Sequence, residues 1–249
     1  MKDKIILVTG GSSGIGKACA LAFSRAGAIV TIVADINQEG LEQTVSEMEG
    51  DGHSIRLDVS KPDQVKNLID EVVKKYGRID CAVNNAGVEG TLASTTDCTE
   101  ENWDKVIDIN LKGIWLCMKY EIPQMLKQGS GSIVNMSSVL GLVGLPGYPA
   151  YVASKHGVVG ITKTAALEYA QTGIRINAVC PGAVRTPLMN RMIKDNPGVI
   201  TEELFVSLEP IGRVATPEEV ADAVVWLSSA KASYVTGIAL PLDGGLTAR

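Results

Sequence analysis

Glycines at positions 10, 11, 14 and 16 stand between the stretch Lys4 to Thr9, an apolar run from Ile5 to Val8, and a helical stretch reaching about Ala26. The run reads as a strand, so the chain opens with strand, glycine turn and helix. Glycine lets such a turn approach a bound group closely, and the helix start offers unpaired N–H groups at the positive end of its dipole. Gly10, Ser12, Ser13, Gly14, Ile15 and Gly16 therefore form a candidate cradle for a pyrophosphate. Their spacing is G-x-x-x-G-x-G, not the G-x-G-x-x-G of the commonest dinucleotide fingerprint. Gly10, Ser12 and Gly14 also fit the G-x-S-x-G nucleophile elbow of hydrolases. That reading needs a histidine partner, and the chain has only His53 and His156, far apart.

Further strands and helices follow. Ala28 to Ala34 reads as a second strand ending in Asp35, Ser54 to Val59 as a third, and Ile79 to Val83 as a fourth. Pro62 to Tyr76 is an amphipathic helix, and Glu100 to Lys127 a long helical pattern. Ile133 to Met136 is a buried strand ending at Ser137-Ser138, Ala150 to about Ala170 a helix, and Arg175 to Val179 another strand. Thr216-Pro217-Glu218-Glu219 is a capping box opening a helix through Ser229, and Gly237 to Leu242 is the last strand. Leu188 to Leu208 has a weak helical pattern broken by Asn196-Pro197-Gly198, and reads either as a cover over a pocket or as ordinary core helix.

With 249 residues, 45% of them apolar and 20% charged, the chain can bury one large core, and no linker or repeat divides it. It reads as one α/β domain over residues 1–249. A net charge of -5 without a basic stripe argues against nucleic acid and anionic membrane as partners. The first apolar run is too short for a signal peptide, and glycine and proline break the run from Val139 to Val152, so no membrane span is expected. Cys19, Cys81, Cys98, Cys117 and Cys180 show no C-x-x-C spacing. They read as reduced, buried thiols of a cytoplasmic protein, with no metal site.

Tyr151 and Lys155 stand at i and i+4, one turn apart on one helix face, and no other tyrosine has a lysine four residues on. A fixed ammonium favours the phenolate, and lowering a tyrosine pKa by roughly three units takes about 4 kcal/mol of differential stabilisation. A solvated Tyr/Lys face is the plainer alternative for an isolated pair. Asp35, nineteen positions after Gly16, can accept both ribose hydroxyls of an adenosine, or can simply cap a helix. Ile36, Ser12 and Ser13 supply no cation for a 2′-phosphate, which points to NAD.

Together, Thr9-Gly-x-x-x-Gly-Ile-Gly16, Asn84-Asn-Ala-Gly87 and Tyr151-x-x-x-Lys155, with Ser138 thirteen residues before the tyrosine, resemble the short-chain dehydrogenases/reductases over essentially the whole chain. The resemblance implies a Rossmann-like, doubly wound sheet of about seven parallel strands with helices on both faces. It places Ile36, Asp58 and Val59 at the adenosine end and makes Asn85, Ala86 and Gly87 a wall beside NAD. It sets Pro181, Gly182 and Val184 at the nicotinamide and gives Thr186 its carboxamide, where a simple turn residue is the alternative. Tyr151 becomes the general acid/base. Lys155 lowers its pKa and holds the ribose, and Ser138 orients the substrate oxygen in preference to Ser137, which strand alternation points away. Asn110 becomes a fourth catalytic member holding a water. A polar residue in mid-helix with Gly113 one turn on marks a local distortion, unless Asn110 merely faces solvent.

Val88, Leu140, Leu142, Val143, Leu145, Pro146 and Met189 are expected around the substrate, with Glu89 as the single charge and no cation. That suits an alicyclic or aliphatic alcohol or ketone. Two alternatives stand beside it. One is a 3-oxoacyl-thioester reductase, against which Asp35 argues because those enzymes usually take NADPH; the other is a catalytically inactive NAD(H)-sensing protein. Val152, Val158, Val159 and Ile161 spread apolar surface around the Tyr151 helix, and Gly157 and Gly160 permit close approach, so a homotetramer is expected through this helix and Glu100 to Lys127, as is common in the family.

Overall fold

The computed structural model describes residues 1–248. Its strands are β1 (Ile5–Thr9), β2 (Val30–Asp35), β3 (Asp51–Arg56), β4 (Cys81–Asn84), β5 (Gly131–Met136), β6 (Ile174–Pro181) and β7 (Ala239–Leu242). They form one parallel sheet in the order β3-β2-β1-β4-β5-β6-β7, the seven-stranded sheet that the resemblance implied. The order reverses between β1 and β4, and a crevice opens at the carboxyl ends of strands at such a switch point. β1 is apolar from Ile5 to Val8 because both faces of the sheet are covered. Ile5 and Leu7 pack into one core, Ile6 and Val8 into the other.

The helices are α1 (Gly14–Arg25), α2 (Gln38–Ser46), α3 (Pro62–Tyr76), α4 (Glu100–Ile107), α5 (Gly113–Gln128), α6 (Pro149–Tyr169), α7 (Pro187–Asp195), α8 (Glu202–Leu208) and α9 (Pro217–Ser228). α3, α5 and α6 bury their apolar stripes on the first face of the sheet, and α1, α2 and α9 on the second. The capping box at α9 is complete: Glu219 N donates to Thr216 Oγ1 at 3.4 Å and Thr216 N to Glu219 Oε2 at 2.8 Å.

Several expectations are corrected. β3 lies three residues earlier than Ser54 to Val59, because its register runs from Val30↔Asp51 to Asp35↔Arg56. It is an edge strand of polar residues, while the apolar signal of Leu57 and Val59 belongs to the loop after it, where Val59 packs under Gly113. The Glu100 to Lys127 pattern is not one α-helix, since a π turn at Asp108–Lys112 separates α4 from α5. α2 was missed; its cap is Asn37, which accepts from Gly40 N at 3.2 Å, so Asp35 is not the capping residue. Gly157 lies against Leu111 of the same chain and needs no partner helix to explain it. Cys98 is half-buried, whereas the other four thiols are buried.

Glu121 on α5 is fully buried, and burial pushes its carboxyl up to about 7 although Asn84 Nδ2 donates to it at 3.1 Å. The same amide donates to Asn135 Oδ1 at 3.1 Å, and Asn135 Nδ2 donates to Thr162 Oγ1 at 2.9 Å. A carboxyl whose folded pKa lies above its ordinary 4.5 contributes stability that is complete below pH 4.5 and lost as pH rises through about 7. Glu121→Gln is therefore expected to match the wild type in urea unfolding at pH 4.5 and to be more stable at pH 8, by on the order of 3 kcal/mol. Parallel pH profiles for the two proteins would contradict this.

Candidate active site

The glycine turn after β1 has left-handed backbone at Gly10 (φ 69°), where a Cβ would fall 2.8 Å from Ala86 Cα. At Gly16 a Cβ would overlap the Gly10 carbonyl, so α1 can start this close to β1 only with glycine there. Asn85 closes the other wall: its amide donates to Thr9 O at 3.1 Å and to Gly10 O at 3.2 Å. Ser13 precedes α1 in extended backbone and its side chain does not cap the helix, so the first-turn N–H groups are left facing the crevice. Asp35 ends β2 beside this turn, with Oδ2 accepting from Ser12 Oγ at 2.8 Å and Oδ1 from Asn37 N at 3.1 Å.

One cavity of about 520 Å³ runs from this turn to the Tyr151 helix. Gly10, Ser13, Gly14, Ile15, Asp35, Ile36, Asp58 and Val59 line its first end, Asn85, Ala86 and Gly87 its floor, and Pro181, Gly182, Val184 and Thr186 the opposite rim. Ser12, Gly16 and Asn110 stand behind the wall and do not line it. Thr186 is more than a turn residue: it caps α7 by accepting from Met189 N at 3.3 Å.

Tyr151, Lys155 and Ser138 meet at the far end of the cavity. Lys155 is buried, donates from Nζ to Met136 O at 2.9 Å, and lies 5.4 Å from the centre of the Tyr151 ring. Ser137 donates to Lys155 O at 2.9 Å, which fixes β5 against α6 and leaves Ser138 as the serine beside the phenol. Alternation along the strand does not separate the two serines, since both edge the cavity. The expected lowering of the phenol is corrected: burial pushes Tyr151 up to about 12, with Ser138 acting the other way through a hydrogen bond. Burial also brings Lys155 down to about 8, with Cys180 acting weakly the other way, so the low-dielectric setting dominates both groups.

Asn110 is fully buried in the π turn, not solvent-facing. Its side chain bonds both polar groups of Val88, accepting from N at 2.8 Å and donating to O at 2.8 Å, and donates to Ser154 Oγ at 3.3 Å. The extra residue of the π turn aims Asn110 at this loop, so the distortion expected there positions the cavity wall.

Val88, Glu89, Leu140, Val143, Leu145 and Met189 line the cavity as expected, whereas Leu142 and Pro146 do not. The end expected to take the substrate is not free of cations. Arg191 of α7 lines it and binds Glu89 through two hydrogen bonds of 2.9 and 3.2 Å. Sequence reasoning also missed Glu209, buried just past α8, whose Oε1 accepts from Ala183 N at 2.7 Å and braces the Pro181–Val184 turn. Neither residue carries a local signal, because each acts on a partner distant in sequence. Within 188–208, Leu188, Met192, Phe205 and Leu208 also line the cavity.

The arrangement suits a dinucleotide. Uncapped helix N–H groups stand at a glycine turn, a carboxylate ends the next strand, and the Asn85–Gly87 floor leads to a phenol, a hydroxyl and an ammonium. Among the described residues, no group of three or more His, Cys, Asp or Glu could hold a metal, and no helix is long and apolar enough to cross a membrane.

A family model described as enoyl-(acyl carrier protein) reductase matches residues 10–247. The chain is 45% identical to a 3-oxoacyl-[acyl-carrier-protein] reductase of Thermotoga maritima, over 99% of this chain and 98% of the relative. It is 42% identical to a cyclohexanol dehydrogenase of Acinetobacter sp., over 99% and 96%. The solved structure of a levodione reductase superposes with a TM-score of 0.96 at 38% identity, covering 100% of this chain and 99% of that one. With its parallel sheet, glycine turn and Ser138, Tyr151 and Lys155 on one cavity, the chain belongs to the short-chain dehydrogenase/reductase family of oxidoreductases.

Proposed function

We propose that the protein interconverts a secondary alcohol and a ketone on a largely apolar, alicyclic or aliphatic molecule, with NAD(H) as cofactor. The observation that carries this reading is one continuous cavity with Asp35 and the glycine turn at one end and Ser138, Tyr151 and Lys155 at the other. The bound nicotinamide would accept or donate the hydride. Tyr151 takes the hydroxyl proton in oxidation and returns it in reduction. Ser138 hydrogen-bonds the substrate oxygen and stabilises charge developing there. Lys155 holds the nicotinamide ribose, and its ammonium favours the phenolate once the positive charge of the oxidised ring helps offset burial. Asn110 would hold a water that connects Lys155 to solvent. Segment 188–208 covers the substrate, and Thr186 meets the carboxamide.

Likeness to two relatives, a cyclohexanol dehydrogenase and a levodione reductase, supports an alicyclic substrate. The family match to carrier-protein reductases keeps a 3-oxoacyl thioester as the competing substrate. A panel of secondary alcohols, diols, sugars and steroids, with one 3-oxoacyl thioester, assayed by absorbance of the reduced cofactor decides between them. Exclusive turnover of the thioester would replace the alcohol reading, and no turnover on any substrate would favour a binding-only protein.

A homotetramer is part of the same proposal. Val158 and Val159 are buried within the chain, and α9 packs on the opposite face of the sheet, so α9 does not cover the outer side of α6. Trp103, Trp115 and Leu167, the last 82% exposed, remain on α4, α5 and α6, and no atom lies within 4 Å of a Cβ built at Gly160. Light scattering is expected to give about four times 26.3 kDa, with Gly160→Phe shifting the population to smaller species. A wild-type mass near one chain would rule the tetramer out.

A further inference from the structure

Charged side chains in the cavity fall into separate sets. Asp35 and Asp58 stand at the adenosine end, Glu209 is bound to the Pro181–Val184 turn, and Lys155 is held by Met136 O. Glu89 and Arg191 face each other at the substrate end, one on the loop after β4, the other on α7. Their contact is bidentate, and the Glu89 side chain is only 16% exposed against 51% for Arg191, so the deeper charge is the negative one. Around them the wall is apolar, with Val88, Leu140, Leu145, Met189 and Met192.

A bidentate guanidinium–carboxylate pair occupies the strongest donors of one partner and the acceptors of the other. A substrate carboxylate entering here would meet Glu89 and find Arg191 already engaged; a substrate ammonium would find Glu89 engaged and meet Arg191. Either would have to shed water in an apolar setting without a counter-charge, which is costly. We propose that the Glu89–Arg191 pair is a charge filter, restricting this end of the site to uncharged ketones and alcohols and rejecting their anionic and cationic analogues. The inference rests on the proposed function for the identity of the site as a substrate pocket, and it adds residues that determine specificity.

The test is a ligand-observed NMR titration, which needs no turnover, with cyclohexanone, 4-oxocyclohexanecarboxylate and 4-aminocyclohexanone as probes. Wild type is expected to bind cyclohexanone in preference to both charged ketones. Glu89→Gln leaves Arg191 unpaired and is expected to shift relative affinity toward the carboxylate by on the order of tenfold or more, the scale of one charge-assisted hydrogen bond. Arg191→Gln is expected to shift it toward the ammonium by a similar factor. The exchanged pair, Glu89→Arg with Arg191→Glu, rebuilds a neutral contact and should restore wild-type discrimination, which separates the filter from any loss of folding in the single variants. A wild type that binds the carboxylate as well as cyclohexanone, or single variants whose relative affinities do not move, overturns the proposal. Turnover of cyclohexanone with NADH on the same samples reports on the reaction separately. Absence of turnover here and across the wider panel would remove the proposed function, while the titration alone judges the filter.

Discussion

Tyr151→Phe is expected to bind NADH as the wild type does and to lose at least ~100-fold in kcat, because the change removes the proton-transfer group and little else. The ring stays in place between Ser138 and Lys155, and cofactor contacts at the glycine turn and Asp35 lie at the other end of the cavity. Burial holds the free phenol up at about 12, so a neutral tyrosine ready to donate is the resting form. That suits the reducing direction directly. For oxidation the phenol must be drawn down, which the hydrogen bond with Ser138 assists and the role proposed for Lys155 would add to. Stopped-flow or steady-state assays on the purified variant, with NADH binding followed by fluorescence, check both halves. Retention of more than about a tenth of wild-type kcat would exclude Tyr151 as the general acid/base.

Cofactor choice is the second large effect. Asp35 lines the cavity with its carboxylate turned to Ser12 and Asn37, and Ile36 next to it is uncharged. Arg56, its register neighbour on β3, does not line the cavity. A 2′-phosphate placed against Asp35 therefore meets a like charge without a counter-ion, which should cost several kcal/mol and favour NAD over NADP by ~100-fold or more in kcat/KM. Asp35→Ala is expected to narrow the ratio mainly by improving NADP. Equal use of the two cofactors by the wild type would refute the assignment.

Much of the candidate site and of the element order was readable in advance where the cause was local, although α2, with its own Asn37 cap, was missed. The glycine turn follows an apolar strand and opens a helix, and only neighbouring residues decide that. Tyr151 and Lys155 share a helix face by the 3.6-residue period, and the Thr216–Glu219 box sets the start of α9 by its own hydrogen bonds. Asn110 showed itself as a poor helix former in mid-helix, although its burial and its bonds to Val88 did not.

What the tertiary structure decided depends on groups far apart in the chain. β3 took its place from pairing with β2, against the pull of Leu57 and Val59, because an edge strand needs ladder bonds more than it needs apolar residues. The family's spacing favoured Ser138 over Ser137, but the physical reason appears only where α6 comes close enough for the Lys155 carbonyl to claim Ser137. Gly157 found its reason in Leu111, and Glu89 found Arg191 more than a hundred residues away. The direction of the Tyr151 shift also reversed from expectation, because dielectric surroundings are set by everything that packs around a group. Sequence determined which groups are present and how neighbours along the chain are turned. Folding determined which groups meet, how dry they are and therefore how strongly they act, since desolvation and long-range contact have no local signature.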